Sequence, residues 1–221
     1  MESLKKNGTW EEVELPQGRK TVDSKWVFKV KQKADGSVER YKARVVAKGL
    51  SQQYGTDYDE TYPPVARYDS FRLLIAIASY YSWIPEQMDL KSAFFYGVLQ
   101  EKIYMRLPEG YRTAGKVARL HKCIYGLNQS AGEWYACLSA LLREIGFVIS
   151  HFDPCVFIHK SESTFISVYV DDITIIGIPS SPFIKEIKQQ LNRRFDCKDL
   201  GDAKCWRLLL SHKHTVRHHS G

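Results

Sequence analysis

Three aspartates have the type and setting to do chemistry. Asp89 lies in Gln87-Met88-Asp89-Leu90-Lys91, and Asp171-Asp172 sit side by side between the apolar runs Phe165 to Val170 and Ile173 to Ile176. Adjacent carboxylates repel, and hard divalent cations bind carboxylate oxygen. Two readings of the Asp pair stand together: a solvated turn in an antiparallel sheet, for which Asp is well suited, or the ligand set of a cation. Asp89 lies some eighty positions away, so only tertiary folding can unite the three. United, they suit a two-metal clamp for in-line phosphoryl transfer.

The elements that must position them can be read from pattern. Phe165 to Val170 and Ile173 to Ile176 are β-prone runs, which predicts a hairpin with Asp171 and Asp172 at its tip. Glu86 to Leu90 reads as a short strand, and Lys91 to Gly97 as a tight helical turn whose backbone N–H groups suit phosphate. An apolar helix is expected from Phe71 to about Tyr81, capped by Asp69 or Ser70. A second helix, about Ser130 to Ile145, carries the stripe Trp134, Leu138, Leu141 and Ile145, and a third opens at Ser181-Pro182. Lys25 to Lys31 and Val38 to Val46 flank Asp35-Gly36, a strong hairpin signal. Alternation puts Lys42, Arg44 and Val46 on one face of that hairpin. Leu120 to Tyr125, Phe147 to Ile149 and Cys155 to His159 complete the strands, while residues 1–24 read as a helical or irregular lead-in. Strands mixed with helices and hairpins predict an α+β fold with a mostly antiparallel sheet.

The chain has 221 residues, 44% hydrophobic and 26% charged, enough for one large domain or two small subdomains. No apolar run reaches the length of a membrane span, and no signal-peptide core follows Met1. The five cysteines form no C-x-x-C pair, which argues against zinc and for reduced thiols inside a cell. The net charge of +7 is concentrated: ten Lys and Arg between Arg19 and Lys48 face only Asp23, Asp35 and Glu39. A polyanion partner and a salt-screened solvated face both fit that segment.

Tyr169-Val170-Asp171-Asp172 resembles the Y-x-D-D box of reverse transcriptases, and the wider chain resembles the Ty1/copia retrotransposon enzymes in particular. The matching stretches run in the family's order over roughly residues 7–202: Asn7-Gly8-Thr9-Trp10, Lys25-Trp26-Val27-Phe28-Lys29, Asp35 to Arg44, Val46 to Gly49, Asp57 to Thr61, Pro64 to Arg67, Gln87 to Phe94, Tyr125-Gly126-Leu127 and Asp153-Pro154-Cys155. The resemblance implies a right-hand polymerase of fingers and palm without a thumb. It would be divided into a lead-in of residues 1–24, a fingers–palm domain of residues 25–202 and an out-of-family tail of residues 203–221. It implies RNA-directed DNA polymerase activity with two Mg²⁺ ions, or Mn²⁺ in their place. The implied partners are dNTP and a primed RNA or DNA template, with no membrane. The implied setting is a Pol polyprotein in a cytoplasmic virus-like particle or the nucleus.

Carried over by position, the resemblance makes Asp89, Asp171 and Asp172 catalytic metal ligands. Tyr169 and Val170 fall beside the primer terminus. The amides of Ser92 and Ala93 are assigned to the triphosphate, and the ring of Phe94 to the sugar, where it excludes a 2′-hydroxyl. Lys42, Arg44 and Lys48 become candidates for triphosphate contacts, and Tyr125, Gly126 and Gln129 line the template–nucleotide pocket. The pocket motif departs from the family's usual one: Asn128 and Gly132 stand where cations are common, and Glu133 adds an anion. Four of the seven histidines crowd the end of the chain, in a stretch read as disordered after a frameshift or truncation. Two other functions are weighed against the polymerase. One is a catalytically silent relic that keeps the fold and binds nucleic acid. The other is a metal-dependent nuclease or phosphatase, which leaves Phe94 and Tyr169-Val170 unexplained.

Overall fold

The computed structural model describes residues 4, 7–33, 35–59, 64 and 66–203. The expected tail beyond residue 203 and part of the Pro63-Pro64 connector lie outside the described residues. The chain divides into two compact units, each built from two separate stretches: residues 1–63 with 94–137, and residues 64–93 with 138–221.

The first unit holds β1 (Trp10–Glu14), β2 (Ser24–Gln32), β3 (Val38–Ala47), β5 (Val98–Met105) and β6 (Lys116–Lys122). They form a three-stranded sheet of order β1-β6-β5 and the separate hairpin β2-β3. β1 replaces the irregular lead-in expected there. Its three glutamates disfavour a strand, but Glu11 pairs across to Arg119 at 3.1 Å and Glu14 to Lys116 at 3.7 Å. Ile103, Met105, Ala118, Leu120, Cys123 and Ile124 are fully buried in this unit's core.

The hairpin β2-β3 has two chemically distinct faces. Its register sets Lys29 opposite Lys42 and Val27 opposite Arg44, while Phe28 meets Ala43 and Val30 meets Tyr41. Alternation puts Lys42 and Arg44 on one face, as the sequence predicts, and the register adds Lys25, Lys29, Lys31 and Arg40 to it. Asp35 shapes the turn by accepting from the backbone N–H and hydroxyl of Ser37, which hold its carboxyl below the usual range.

The second unit is a six-stranded sheet of order β11-β4-β10-β9-β8-β7, antiparallel at every pairing. Its strands are β4 (Glu86–Leu90), β7 (Phe147–Ile149), β8 (Val156–His159), β9 (Phe165–Tyr169), β10 (Asp172–Ile176) and β11 (Cys197–Asp202). Helix α1 (Tyr68–Tyr80) packs Leu74, Ile75 and Ala78 against Val156 and Ile176. Helix α2 (Ser130–Glu144) runs from the first unit into the second, with Trp134, Leu138 and Leu141 buried. Helix α3 (Pro182–Arg194) buries Ile184, Ile187 and Leu191, and Ser181 caps it by accepting from the Phe183 N–H.

Helix α1 starts earlier than expected and without a local cap. The backbone N–H of Arg67 donates to Asp153 Oδ2 at 2.9 Å, and Asp153 Oδ1 accepts from the Cys155 N–H at 2.9 Å. Asp153 is 1% exposed, so its buried carboxylate is the fastening that replaces the Asp69 or Ser70 cap.

Candidate active site

The carboxylates belong to the second unit, and sheet register assembles them. β4 and β10 are antiparallel neighbours with Asp89 opposite Asp172, and the Leu90 N–H donates to the Asp171 carbonyl at 2.9 Å. Cross-strand partners lie about 5 Å apart between Cα atoms, so residues distant in sequence become neighbours. The hairpin tip differs from expectation: Asp172 is the first residue of β10, paired with Tyr169, and Val170-Asp171 form the two-residue turn. Val170 has φ +57°, a left-handed conformation that costs a β-branched residue about 1–3 kcal/mol. Tyr169 and Val170 are 60% and 47% exposed, so the strained tip faces solvent.

Electrostatics register the crowding. Burial, then the charges of Asp171 and Asp89, hold the Asp172 carboxyl above the ordinary carboxylate range, while a 3.4 Å hydrogen bond from Gln87 pulls the other way. Among the described residues no group of three or more His, Cys, Asp or Glu side chains is placed so as to hold a metal ion. Mg²⁺ commonly keeps waters and takes substrate phosphates beside one or two carboxylates, so a site for it needs fewer protein ligands than a cage of three. Gln87 escaped the sequence reading. Its signal was strand alternation, which puts it two residues from Asp89 on the same face.

The chain after Asp89 is held on both sides. The Lys91 N–H donates to the Asp196 carbonyl at 2.9 Å, and the Lys91 ammonium pairs with the Asp196 carboxylate at 2.9 Å. Ser92 then takes φ +55°, and the short helical turn Ala93–Tyr96 follows. A left-handed residue followed by a helical one aims successive backbone N–H groups to one side, the shape of an anion-binding nest.

The remaining predicted residues lie in the first unit. Phe94 meets Tyr125 edge-on at 4.7 Å, and the Arg44 guanidinium sits 5.2 Å over the Tyr125 ring. The fold therefore brings Arg44, Tyr125 and Phe94 into one contact chain. Close backbone packing supports it: the Ala47 N–H donates to the Tyr125 carbonyl at 2.8 Å, and Gly126 has φ +92°. A Cβ at Gly126 would stand 2.1 Å from the Ala47 carbonyl oxygen, so only glycine fits. Lys42 lies further along the same face of β3 as Arg44, whereas Lys48 lies past the strand and pairs with Asp23 at 3.8 Å.

Gln129 is not lining an open surface. It is 3% exposed; its Oε1 accepts from Gln52 Nε2 at 2.9 Å, and its Nε2 donates to the Asp57 carbonyl at 2.8 Å. Glu133, the anion foreign to the family's usual motif, is held above the usual range by burial and by Glu101. The described cysteines are free, and burial pushes Cys123 up to about 12 and Cys155 and Cys197 up to about 11. These three are thiols near neutral pH, unsuited to nucleophilic chemistry.

Comparison with known proteins follows the same lines. Residues 7–214 match the family described as reverse transcriptase (RNA-dependent DNA polymerase), a match that continues past residue 202. The chain is 42% identical over 210 residues to the retrovirus-related Pol polyprotein from transposon TNT 1-94 of Nicotiana tabacum, covering 92% of this chain and 16% of that protein. It is 39% identical over 202 residues to the Pol polyprotein from transposon RE2 of Arabidopsis thaliana, covering 89% and 14%. It is 30% identical over 207 residues to the transposon Ty1-DR4 Gag-Pol polyprotein of Saccharomyces cerevisiae, covering 90% and 12%. The chain thus spans about a sixth or less of the length of these curated relatives.

Proposed function

The chain belongs to the reverse transcriptase (RNA-dependent DNA polymerase) family, and from that premise we propose that it carries the polymerising site of a Ty1/copia-type Pol polyprotein. In this reading the six-stranded sheet is the palm and the unit with the basic hairpin is the fingers. The substrates are a dNTP and a primer annealed to an RNA or DNA template. The primer 3′-oxygen forms a bond to the α-phosphorus, the bond to pyrophosphate breaks, and the 3′-hydroxyl proton leaves to water. The observation that carries the reading is the β4–β10 register, which sets Asp172 opposite Asp89 with Asp171 bonded to the next residue.

Asp89 and Asp171 would hold two Mg²⁺ ions, or Mn²⁺, with Asp172 nearer the primer terminus. Such ions lower the pKa of the attacking hydroxyl and neutralise charge that develops on the phosphate. The Ser92 and Ala93 amides suit the triphosphate, since a backbone nest favours anions. Phe94 offers a flat wall against the sugar, held edge-on by Tyr125. Arg44 and Lys42 present cationic groups from one face of β3, with Lys48 near its end, to balance phosphate charge. Tyr169 and Val170, exposed at the tip, would meet the primer end, and their exposure supports that role.

The test is dNTP incorporation on a primed RNA template with Mg²⁺ or Mn²⁺. Asp171→Asn is expected to lower the rate on the order of 10³-fold or more, the scale for removing a partner of transition-state charge. Incorporation that persists in Asp171→Asn, or a folded wild-type chain that incorporates nothing, would refute the assignment.

A further inference from the structure

The first unit contains a buried chain of amides that the metal chemistry does not use. Gln52 is 8% exposed, although it lies in a polar loop. Its Oε1 accepts from the Asn128 backbone N–H at 2.7 Å, and its Nε2 donates to Gln129 Oε1 at 2.9 Å. Gln129 Nε2 passes the chain on to the Asp57 carbonyl at 2.8 Å. Alongside, Asn128 Nδ2 donates to the Gly49 carbonyl at 3.1 Å. A Cβ at Gly49 would stand 2.3 Å from the Gly126 carbonyl, so turn and pocket backbone touch directly.

The chain of amides has a fixed direction. At one end stands a backbone donor, Asn128 N–H, and at the other a backbone acceptor, Asp57 C=O; neither can reverse. Gln52 must therefore turn oxygen to Asn128 and nitrogen to Gln129, and Gln129 must turn nitrogen to Asp57. Reversing either amide sets two donors or two acceptors face to face in a buried site, where an unmade bond is costly.

We propose that Gln52 is a positioning residue for the nucleotide pocket. It fixes the Gln129 amide and clamps the turn after β3 to the Tyr125–Gln129 segment, which keeps Arg44 over Tyr125 and Phe94 against it. The inference rests on the polymerase reading for its catalytic consequence, and on the hydrogen-bond geometry for the clamp itself. Asn128 contributes to the same clamp through Gly49, so the residue that departs from the family's usual cation works here as an internal latch.

The experiment compares wild type, Gln52→Ala and Gln52→Glu for incorporation on a primed RNA template at two pH values. It also compares backbone amide exchange in the same proteins. Gln52→Ala should raise KM for dNTP about tenfold with kcat within about twofold, since it loosens positioning and leaves the carboxylates intact. Gln52→Glu keeps the shape but lacks the donor as a carboxylate. Burial and the facing Gln129 oxygen favour its protonated form, whose O–H restores the donor as pH falls. Its KM should match Gln52→Ala near pH 8.5 and approach wild type near pH 6, each measured against wild type at that pH. Exchange at the Asn128 N–H should accelerate at least about tenfold in folded Gln52→Ala relative to amides of β9. An unchanged KM in both variants, or a Gln52→Glu profile parallel to that of Gln52→Ala, would overturn the positioning role. If wild type incorporates nothing, the polymerase reading fails separately; unchanged Asn128 exchange would then overturn the clamp, and accelerated exchange would uphold it.

Discussion

The two units solve opposite problems with polar groups. In the second, three carboxylates converge on the ends of adjacent strands, Val170 is held left-handed, and burial with like charge raises the Asp172 pKa. Those features cost stability in the folded chain. In the first, Gln52, Gln129 and Asn128 sit in a network whose side-chain amides find partners, and backbones touch at Gly49 and Gly126. One region is under strain and faces solvent; the other is satisfied and closed. On the proposed reading the difference follows from what each would meet: a charged reacting centre must stay accessible, whereas a pocket wall gains by being rigid.

That contrast predicts opposite responses to substitution. The largest effect belongs to the closed region. Gly126→Ala forces a Cβ against the Ala47 carbonyl at a backbone angle alanine resists, and should destabilise by about 3–5 kcal/mol. Denaturant unfolding measures it; a cost under about 1 kcal/mol would show that the packing there is soft.

Val170→Asn should move the other way. Asparagine tolerates the left-handed region, so the apo protein should gain about 1 kcal/mol while the hairpin keeps its register. A lower melting temperature would mean that Val170 contacts outweigh the backbone strain.

Asp172→Asn is the smallest and carries a pH signature. The native Asp172 carboxyl titrates above its unfolded value, so the folded state binds the proton more tightly. Its penalty is full well above that raised value and disappears as pH falls to the unfolded one. The variant should therefore be more stable than wild type at neutral pH without divalent ions, by less than about 1 kcal/mol after solvent screening. The gap should close on acidification and on adding Mg²⁺. Thermal unfolding at neutral and at acidic pH decides it, and a variant less stable than wild type at neutral pH would show that the carboxylate is net stabilising.

Much of the architecture was legible because local pattern and burial agree. β4 was read with the bounds it has, the basic hairpin declared itself through Asp35-Gly36, and Ser181-Pro182 opens α3 as capping chemistry requires. The failures share one cause. The glutamates of β1 look unlike a strand until Lys116 and Arg119 lie across from them, and the cap of α1 comes from Asp153 in a distant loop. Gln129 carries no sign in sequence that its amide is spent internally, because Gln52 and Asp57 reach it only through folding.

The sequence by itself therefore determined the residue types of the site, the elements that bear them and the family to which they belong. Periodicity, turn chemistry and charge are local quantities, and they survive in a one-dimensional string. Tertiary structure alone decided that Asp172 faces Asp89, that Val170 and not Asp172 occupies the turn, and that the Gln129 amide is locked by Gln52 and Asp57. Those are matters of register and of which polar group finds which partner, and a shift of one residue in pairing would turn every side chain to the other face.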